Sequence, residues 1–356
     1  MITFDKRGGG EKVALALAKA FDADIYTGFV NYESTYEEVR DASVVEIATD
    51  MRIRGLRTLV LLHKFGKLVL REYDAYIFSG TNCITANEKN RPCVWYCHTP
   101  ARHLYDLHDW FMSRAGLTGR VLLKALCRYQ KPTDQRHASR FDAIAANSRN
   151  VKRRISEYYG TEAGKKTSVV YPPVDTGNFR WAGQGDFYVS MGRLDKLKRV
   201  DLIVEAFRNM PEKELKIVSS GPELNAIRKL AQGCENIEVV GYVDEHTLRY
   251  LLGRCIASIY VPVHEDFGLS AAESLAAGKP CIAAGEGGLQ EIVDNGKTGL
   301  LIDATPESIK DAVTALGRKR AGRMRKACET KAKLFSEKRF VKGMKGIVER
   351  VCDRGT

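Results

Sequence analysis

Two carboxylates in the segment His264–Glu273 have the spacing of a site for a polyhydroxy ligand. Glu265 follows an apolar run that reads as a strand, and Glu273 falls about one and a half turns into the helix that follows. Carboxylates placed in this way can face one cleft and capture the vicinal hydroxyls of a ribose or a hexose. The amides at the helix start suit a phosphate. They belong to Phe267, Gly268 and Leu269. Paired acids on helices are usually surface charge, but apolar neighbours here indicate a largely buried helix, where an unpaired glutamate is costly.

A basic loop, Gly192–Arg199, follows the first strand of the second half of the chain. Parallel α/β sheets bind ligands at loops of this kind. Arg193 and Lys198 lie five residues apart, so both could point to one spot and neutralise a diphosphate, arginine as a fork and lysine as a point charge. A solvated basic loop explains the same residues equally well.

Two features of the first half could also carry chemistry. Gly8–Gly10 open a helix, whose N–H groups and positive dipole end can receive a phosphate, although such a glycine turn is more often only a tight connection. His98 follows an apolar strand and is either an active-site residue or a hydrogen-bonded core residue.

Short apolar runs alternate with helical patterns and position these residues. Most runs lack strict alternation, as strands buried on both faces do, and the order predicts an α/β fold of doubly wound parallel sheets. The predicted strands are 24–27, 44–47, 75–79, 93–98, 142–147, 168–171, 187–191, 215–219, 237–240, 256–261, 280–283 and 299–302, with a short opening strand at 1–4. The clearest helices are 11–20, 200–208, 223–231, 245–253, 269–277 and 306–316. The stiff linker YPPVDTG at 171–177 divides the chain into near-equal halves, each able to hold one Rossmann-like sheet.

Composition restricts the class of protein. With 356 residues, 44% of them hydrophobic, the chain can build packed cores, which excludes disorder for most of its length. The net charge of +12 admits nucleic acid, anionic membrane or a phosphorylated small molecule as partner. No apolar run reaches the ~18 residues of a membrane span, and the start lacks a signal-peptide core. Nine scattered cysteines fit a reducing compartment, so we expect a cytoplasmic protein with free thiols and no metal site.

Two segments are unusually basic. Residues 317–350 contain 13 Lys and Arg against 3 Asp and Glu, and residues 112–131 mix five cations with leucines and a valine. Solvated helices are the simpler explanation of the tail, and a helix covering the first sheet would explain 112–131. The alternative for the tail is contact with an anionic membrane surface or an acidic partner, and the alternative for 112–131 is peripheral attachment at the inner face of a membrane.

In this order, the motifs resemble the retaining glycosyltransferases of family 4, whose fold of two Rossmann-like domains with a cleft between them is called GT-B. The matching pieces are Gly8–Glu11, His98, Asn147-Ser148, the YPPVD segment 171–175, Gly192-Arg193 with Lys198, the SGPE segment 220–223, Gly241-Tyr242, Glu265 with Glu273, and Gly287-Gly288 with Glu291. The segment WYCHTPARHLYD at 95–106 is similar to the O-antigen and exopolysaccharide mannosyltransferases.

The resemblance implies a role for each matching residue. It implies that His98, Arg193, Lys198 and Glu265 are catalytic. It implies a donor site of Gly9, Gly10, Gly192, Gly221, Gly241, Tyr242, Val243, Phe267, Gly268, Leu269 and Glu273, and it places Arg102 and Tyr105 on the acceptor side. Residues 1–173 would form the acceptor domain and 174–335 the donor domain, with a final helix at 336–356 packing back on the former.

The implied activity is transfer of a hexose with retention. Mannose from GDP-mannose is favoured by the subgroup, with a glycan or lipid-diphosphate acceptor. Cations and helix-end amides would stabilise the leaving diphosphate, so neither a metal nor a cofactor is expected. A UDP-sugar is the alternative donor and a UDP-sugar 2-epimerase an alternative enzyme. A basic nucleic-acid-binding protein is a less favoured alternative, because its signature motifs are missing from the sequence, and nucleic acid is not expected as a partner.

Overall fold

The structure is a computed structural model that describes residues 3–50 and 54–353, without the side chain of Arg54. Its strands are β1 (Ile25–Thr27), β2 (Val44–Glu46), β3 (Tyr76–Ser79), β4 (Cys93–Cys97), β5 (Ala143–Ala146), β6 (Thr167–Val169), β7 (Phe187–Ser190), β8 (Glu214–Val218), β9 (Ile237–Gly241), β10 (Ser258–Tyr260), β11 (Cys281–Ala284) and β12 (Gly299–Ile302). Its helices are α1 (Gly9–Phe21), α2 (Arg54–Lys67), α3 (His108–Arg114), α4 (Leu117–Ala138), α5 (Arg149–Tyr159), α6 (Thr161–Lys165), α7 (Val200–Arg208), α8 (Leu224–Leu230), α9 (Glu245–Arg254), α10 (Leu269–Ala276), α11 (Leu289–Ile292), α12 (Pro306–Ala315), α13 (Arg318–Ala332) and α14 (Glu337–Cys352). The predicted α/β alternation of strands and helices is confirmed.

The chain forms two compact units. Unit 1 comprises Met1–Tyr171 and Phe340–Thr356, and unit 2 comprises Pro172–Arg339. The boundary falls in the proline-rich segment, where prolines cannot donate backbone hydrogen bonds to a sheet. Both units contain parallel sheets covered by helices, as expected of Rossmann-like domains.

Unit 1 has its strands in two groups. Strands β3, β4, β5 and β6 form one parallel sheet in that order, and β1 pairs in parallel with β2. The predicted opening strand lies partly outside the described residues, and Phe4 forms a parallel bridge with Val30. An apolar pocket of about 400 Å³, lined by residues of both groups such as Tyr26 and Phe78, contains none of the predicted site residues.

The core of unit 1 is built around β4, which is buried along its whole length. Trp95 stacks on Phe141 on one face of the sheet. On the other face, Tyr96 contacts Phe340 of α14. The apolar stripe of α14 is buried in the same cluster, which explains why a strongly basic terminal helix is held on this sheet. Each such buried side chain contributes about 1.5–3 kcal/mol.

Unit 2 contains one six-stranded parallel sheet in the order β12-β11-β10-β7-β8-β9. The chain runs outward from β7 through β9 and then returns to the other side of β7 at β10. The neighbours β7 and β10 therefore mark the point where the strand order reverses. Ligands bind at this point in doubly wound sheets. The basic helix α13 packs against α10 with Met324 and Cys328 on its buried face.

All nine cysteines are free thiols, as expected. In the part of the chain that the structure describes, helices long and apolar enough to cross a membrane are not found.

Candidate functional site

The predicted donor residues of unit 2 lie at the carboxyl ends of neighbouring strands. Lys198 belongs to a short 3-10 helix after β7, and Glu265 lies in the loop after β10. Since β7 and β10 are adjacent, these loops meet at the reversal point of the sheet. The backbone N–H of Val263 donates to the carbonyl of Leu197 at 2.8 Å and fixes one loop on the other.

Lys198 is the central cation of this site. Its Nζ donates to Glu265 Oε2 at 2.6 Å and to the Tyr260 hydroxyl at 2.9 Å. The Lys198 and Glu265 side chains are 21% and 18% exposed, so the pair is partly shielded from water yet open to a ligand. A lysine, a carboxylate and a phenol are thus held together where two adjacent strands end.

The surroundings favour the charged form of Lys198. Burial disfavours the ammonium, but the neighbouring Tyr260 and Glu265 outweigh it and hold the pKa of Lys198 above its ordinary value. Burial, followed by the nearby Glu265 carboxylate, raises the pKa of Tyr260 well above its usual range. At neutral pH the site therefore presents an ammonium and a neutral phenol.

A second ion network holds the loop that carries Glu265. Arg199 forms an ion pair with Glu286 and donates from Nε to the carbonyl of Val261 at 2.6 Å. Glu286 also faces His264, with 3.2 Å between Oε2 and Nδ1. Arg199 and His264 both have left-handed φ angles, of 50° and 41°. These two strained residues are held by contacts that join the loops after β7, β10 and β11.

Glycines allow the loops to pack backbone against backbone. A Cβ on Gly287 would lie 2.4 Å from the carbonyl oxygen of Glu265, and one on Gly288 would lie 2.4 Å from that of Asp266. A Cβ on Gly221 would lie 2.3 Å from the carbonyl oxygen of Leu194. Side chains at these positions would displace the site loops.

Helix α10 begins at Leu269, four residues after Glu265 in the sequence. Gly268 precedes it with a φ of 109°, and a Cβ there would lie 2.6 Å from a Leu289 methyl carbon. Phe267 is buried, whereas Leu269 and Glu273 are half-buried. The first backbone N–H groups of a helix lack an intrahelical acceptor, so those at the start of α10 can bind an anion.

The remaining predicted donor residues surround this centre. Gly192 is buried, and a Cβ there would lie 3.0 Å from the Tyr260 ring. Gly241 ends β9 with a φ of 84°, and its carbonyl accepts from the Ser219 N–H at 2.8 Å. Tyr242 is 62% exposed, and Val243 is half-buried.

Arg193 does not join Lys198 in a paired arrangement. Its side chain is exposed and forms neither an ion pair nor a hydrogen bond with residues 3–50 or 54–353. The structure thus brings Lys198 and Glu265 together, whereas the Arg193 side chain, near the start of the same loop, is exposed to solvent.

In unit 1, Gly9 and Gly10 form the first turn of α1, after Gly8 in extended conformation. His98 follows β4, and its Nε2 lies 2.8 Å from the Ser79 hydroxyl. Desolvation lowers the pKa of His98 to about 4, so the imidazole is neutral at pH 7. Nearby in the sheet, the side-chain oxygen of Asn147 is buried at the end of β5 and lacks a hydrogen-bond partner among the described residues. A buried acceptor of this kind calls for a donor from a ligand or water.

The predicted acceptor-side residues are held by their neighbours. Arg102 donates from Nε and Nη2 to Asp106 Oδ2 at 3.0 and 2.7 Å. Tyr105 stacks on Tyr158 and donates to Asp134 Oδ2 at 2.8 Å. Both side chains are half-buried, so they can touch a ligand from fixed positions.

Three contact residues were missed from the sequence. Tyr260 is the last residue of β10, Glu286 lies in the loop after β11, and Arg199 ends the predicted basic loop directly before α7. The positions of Tyr260 and Glu286 near strand ends, and of Arg199 in the basic loop, were usable signals, but the partners of these residues come from other loops.

Two family models match the chain. "Glycosyltransferase Family 4" matches residues 7–178, and "Glycosyl transferases group 1" matches residues 177–335. An uncharacterized glycosyltransferase of Methanocaldococcus jannaschii is 23% identical over 93% of this chain and 91% of its own. The alpha-1,3/1,6-mannosyltransferase ALG2 of Dictyostelium discoideum is 24% identical over 74% of this chain and 71% of its own. A GDP-mannose-dependent alpha-(1-6)-phosphatidylinositol monomannoside mannosyltransferase of Mycobacterium tuberculosis is 30% identical over 49% of this chain and 52% of its own.

Solved structures share the fold. Anabaena HepE, solved with UDP and glucose, superposes with a TM-score of 0.73 at 16% identity, covering 98% of both chains. Sucrose-phosphate synthase from Thermosynechococcus elongatus superposes with a TM-score of 0.76 at 16% identity, again over 98% of both chains.

Proposed function

The chain belongs to glycosyltransferase family 4, and from this premise we propose that it transfers a hexose from a nucleotide-diphosphate sugar with retention and without a metal. The observation that carries the proposal is the Lys198–Glu265 pair at the reversal point of the sheet in unit 2. A diphosphate there would meet the ammonium and the first amides of α10. The ammonium and the amide N–H groups are preorganised hydrogen-bond donors in a partly desolvated site. Such donors stabilise a developing negative charge most effectively in that environment.

The donor would bind through several distinct contacts. Glu273 would accept hydrogen bonds from the ribose hydroxyls, while Glu265 would approach the sugar beside its reacting carbon. Lys198 and Arg193 would hold the diphosphate. The backbone around Gly241 would frame the base.

The reaction would proceed on one face of the sugar. The bond between the anomeric carbon and the diphosphate oxygen breaks, and its electron pair goes to the diphosphate. The acceptor hydroxyl bonds to the same carbon from the same side and gives its proton to the departing phosphate oxygen. Lys198 stabilises the growing negative charge. A trapped sugar ester on Glu265 would contradict this front-side route.

GDP-mannose is the favoured donor, and a glycan or lipid-diphosphate-linked molecule is the favoured acceptor. Support comes from relatives named as GDP-mannose-dependent mannosyltransferases. A UDP-sugar is the alternative donor, since HepE was solved with UDP. We place the reaction on the cytoplasmic side, at the inner face of the membrane, because a lipid-linked acceptor would be reached there.

A thermal-shift panel tests the proposal. GDP, UDP, ADP and their sugars are added to the wild type and to Glu273→Ala. A ligand at about 100 times its Kd stabilises the folded state by about 2.7 kcal/mol. We expect stabilisation by GDP and GDP-mannose that is lost in Glu273→Ala. A response to UDP compounds alone would replace the donor, and no response to any nucleotide would contradict the proposed activity.

A further inference from the structure

Helix α4 of unit 1 has an outward half that packs on little of the protein. All residues of Leu117–Leu126 are described, and none of them is buried; Cys127 is the first buried residue of the helix. Leu117, Leu122 and Val121 are 82%, 70% and 68% exposed, and Tyr129 is 65% exposed. Among the described residues, these are the four highest exposures of any large apolar side chain. Single exposed apolar residues are ordinary, but a cluster on one helix marks an interaction surface.

The exposed residues form two adjacent stripes. Positions four apart lie on one face of an α-helix. The apolar stripe contains Leu117, Val121, Ala125 and Tyr129, and the basic stripe beside it contains Arg120, Lys124 and Arg128. The opposite face of the helix carries the buried residues Cys127, Gln130 and Asp134.

The charge around these stripes is mostly positive. Residues 112–131 contain five cations, all of them exposed, and no carboxylate, whereas residues 108–129 contain one exposed carboxylate, Asp109. At the neighbouring end of α3, Trp110 lies under the Arg114 guanidinium, 4.1 Å from its ring centroid. An apolar stripe beside a basic stripe, with an aromatic residue nearby, complements the headgroups and upper acyl chains of an anionic bilayer.

We propose that the α3–α4 surface, residues 108–129, docks unit 1 onto an anionic phospholipid membrane. The buried face of the same helix holds the predicted acceptor segment. Gln130 Oε1 lies 2.8 Å from His103 Nε2, and Asp134 accepts from the Tyr105 hydroxyl. Val121 and Asp134 are separated by about 20 Å along the helix axis at 1.5 Å per residue. One continuous helix therefore connects the docking surface to the acceptor segment, which suits an acceptor whose lipid stays in the bilayer. This acceptor class rests on the proposed function, whereas the docking surface does not.

The test is co-sedimentation of the full chain with phosphatidylcholine vesicles that contain 0 or 30% phosphatidylglycerol (roughly the charge of an anionic membrane). Each lysine or arginine near such a surface contributes enough that losing two should lower the partition coefficient by about thirtyfold. We expect this loss in Lys124→Gln/Arg128→Gln. The matched control, Lys319→Gln/Arg323→Gln, removes the same charge from exposed positions of α13 and should stay within about twofold of wild type.

A second variant, Leu117→Ser/Val121→Ser, tests the apolar stripe at constant charge and should also weaken binding to anionic vesicles. Equal losses in the α4 and α13 charge variants, or unchanged binding in the serine variant, would overturn the proposal. So would a dimer in size-exclusion chromatography that the serine variant abolishes, because a second copy would then cover the surface. Every variant is also tested for stabilisation by GDP, UDP and ADP. Vesicle binding without a response to GDP, UDP or ADP would contradict the proposed activity and leave the docking surface intact.

Discussion

Replacing Glu265 with glutamine should tighten GDP binding and slow transfer at the same time. In the structure, Lys198 Nζ is held 2.6 Å from Glu265 Oε2. At an effective dielectric of about 20, unit charges at that separation attract by about 6 kcal/mol. Desolvation offsets most of this attraction, and a hydrogen bond to a charged group contributes about 1.5–3 kcal/mol net. In the proposed complex, the diphosphate competes with Glu265 for the ammonium, so Glu265→Gln should increase GDP affinity by about tenfold, or about 1.4 kcal/mol.

Transfer depends on charge that develops only as the diphosphate leaves. Losing the carboxylate proposed to lie beside the sugar should therefore reduce the release of GDP from the proposed donor, GDP-mannose, by roughly 10²–10³-fold. Isothermal titration calorimetry with GDP measures the affinity. Lys198→Met removes the ammonium and should weaken GDP binding, which is the opposite effect. Glu238→Gln is the matched control, because it removes a carboxylate paired with Lys216 on β8 and β9. Weaker GDP binding in Glu265→Gln, or wild-type affinity in Lys198→Met, would refute the competition.

Two further predictions concern stability. Burial, partly opposed by two tyrosine hydroxyls, raises the pKa of Asp134 from 3.8 to about 6, so the folded protein binds this proton more tightly than the unfolded chain. The free energy of unfolding should therefore fall by about 3 kcal/mol as pH rises from about 4 to above 6. Urea unfolding measures this fall, which Asp134→Asn should abolish; an identical pH profile in the variant would contradict the assignment. Gly288→Ala should lower stability by about 1–3 kcal/mol in thermal unfolding, because the new methyl group would lie 2.4 Å from the Asp266 carbonyl oxygen. Gly322→Ala, with no atom within 4 Å, should be neutral or stabilising by up to about 1 kcal/mol, and equal effects of both substitutions would count against the close packing of the loops.

The fold could be predicted from the sequence because its strands are buried on both faces. β4 and β11 are fully buried, and each is a continuous apolar run in the sequence. The helix starting at Leu269 was equally clear, since a glycine and a loop precede an apolar helical pattern. The local sequence alone is enough to predict strands and helices of this kind.

The contacts of the site were less predictable because they join distant segments. Arg193 and Lys198 are five positions apart in the sequence, which suggested a shared target. The fold instead pairs Lys198 with Glu265 and Tyr260 and leaves Arg193 exposed. Arg199 looked like one more cation of a basic loop, whereas its left-handed backbone turns its side chain onto the loop after β10. Spacing along the chain gives no information on such partners.

The exposure of the first half of α4 could not be predicted from the sequence either. A basic amphipathic segment can cover a sheet or face a membrane, and the two cases differ only in what lies against the apolar stripe. The exposure of Leu117 and Val121 shows that the apolar stripe is not packed against the sheet.

A crystal structure of the protein with GDP would test the central claim most directly. The diphosphate is expected at the carboxyl ends of β7 and β10, with Lys198 Nζ within about 3 Å of a phosphate oxygen and Glu273 on the ribose hydroxyls. Lys198 should have exchanged its contact with Glu265 for the phosphate. A nucleotide bound elsewhere, with the Lys198–Glu265 pair unchanged, would contradict the account.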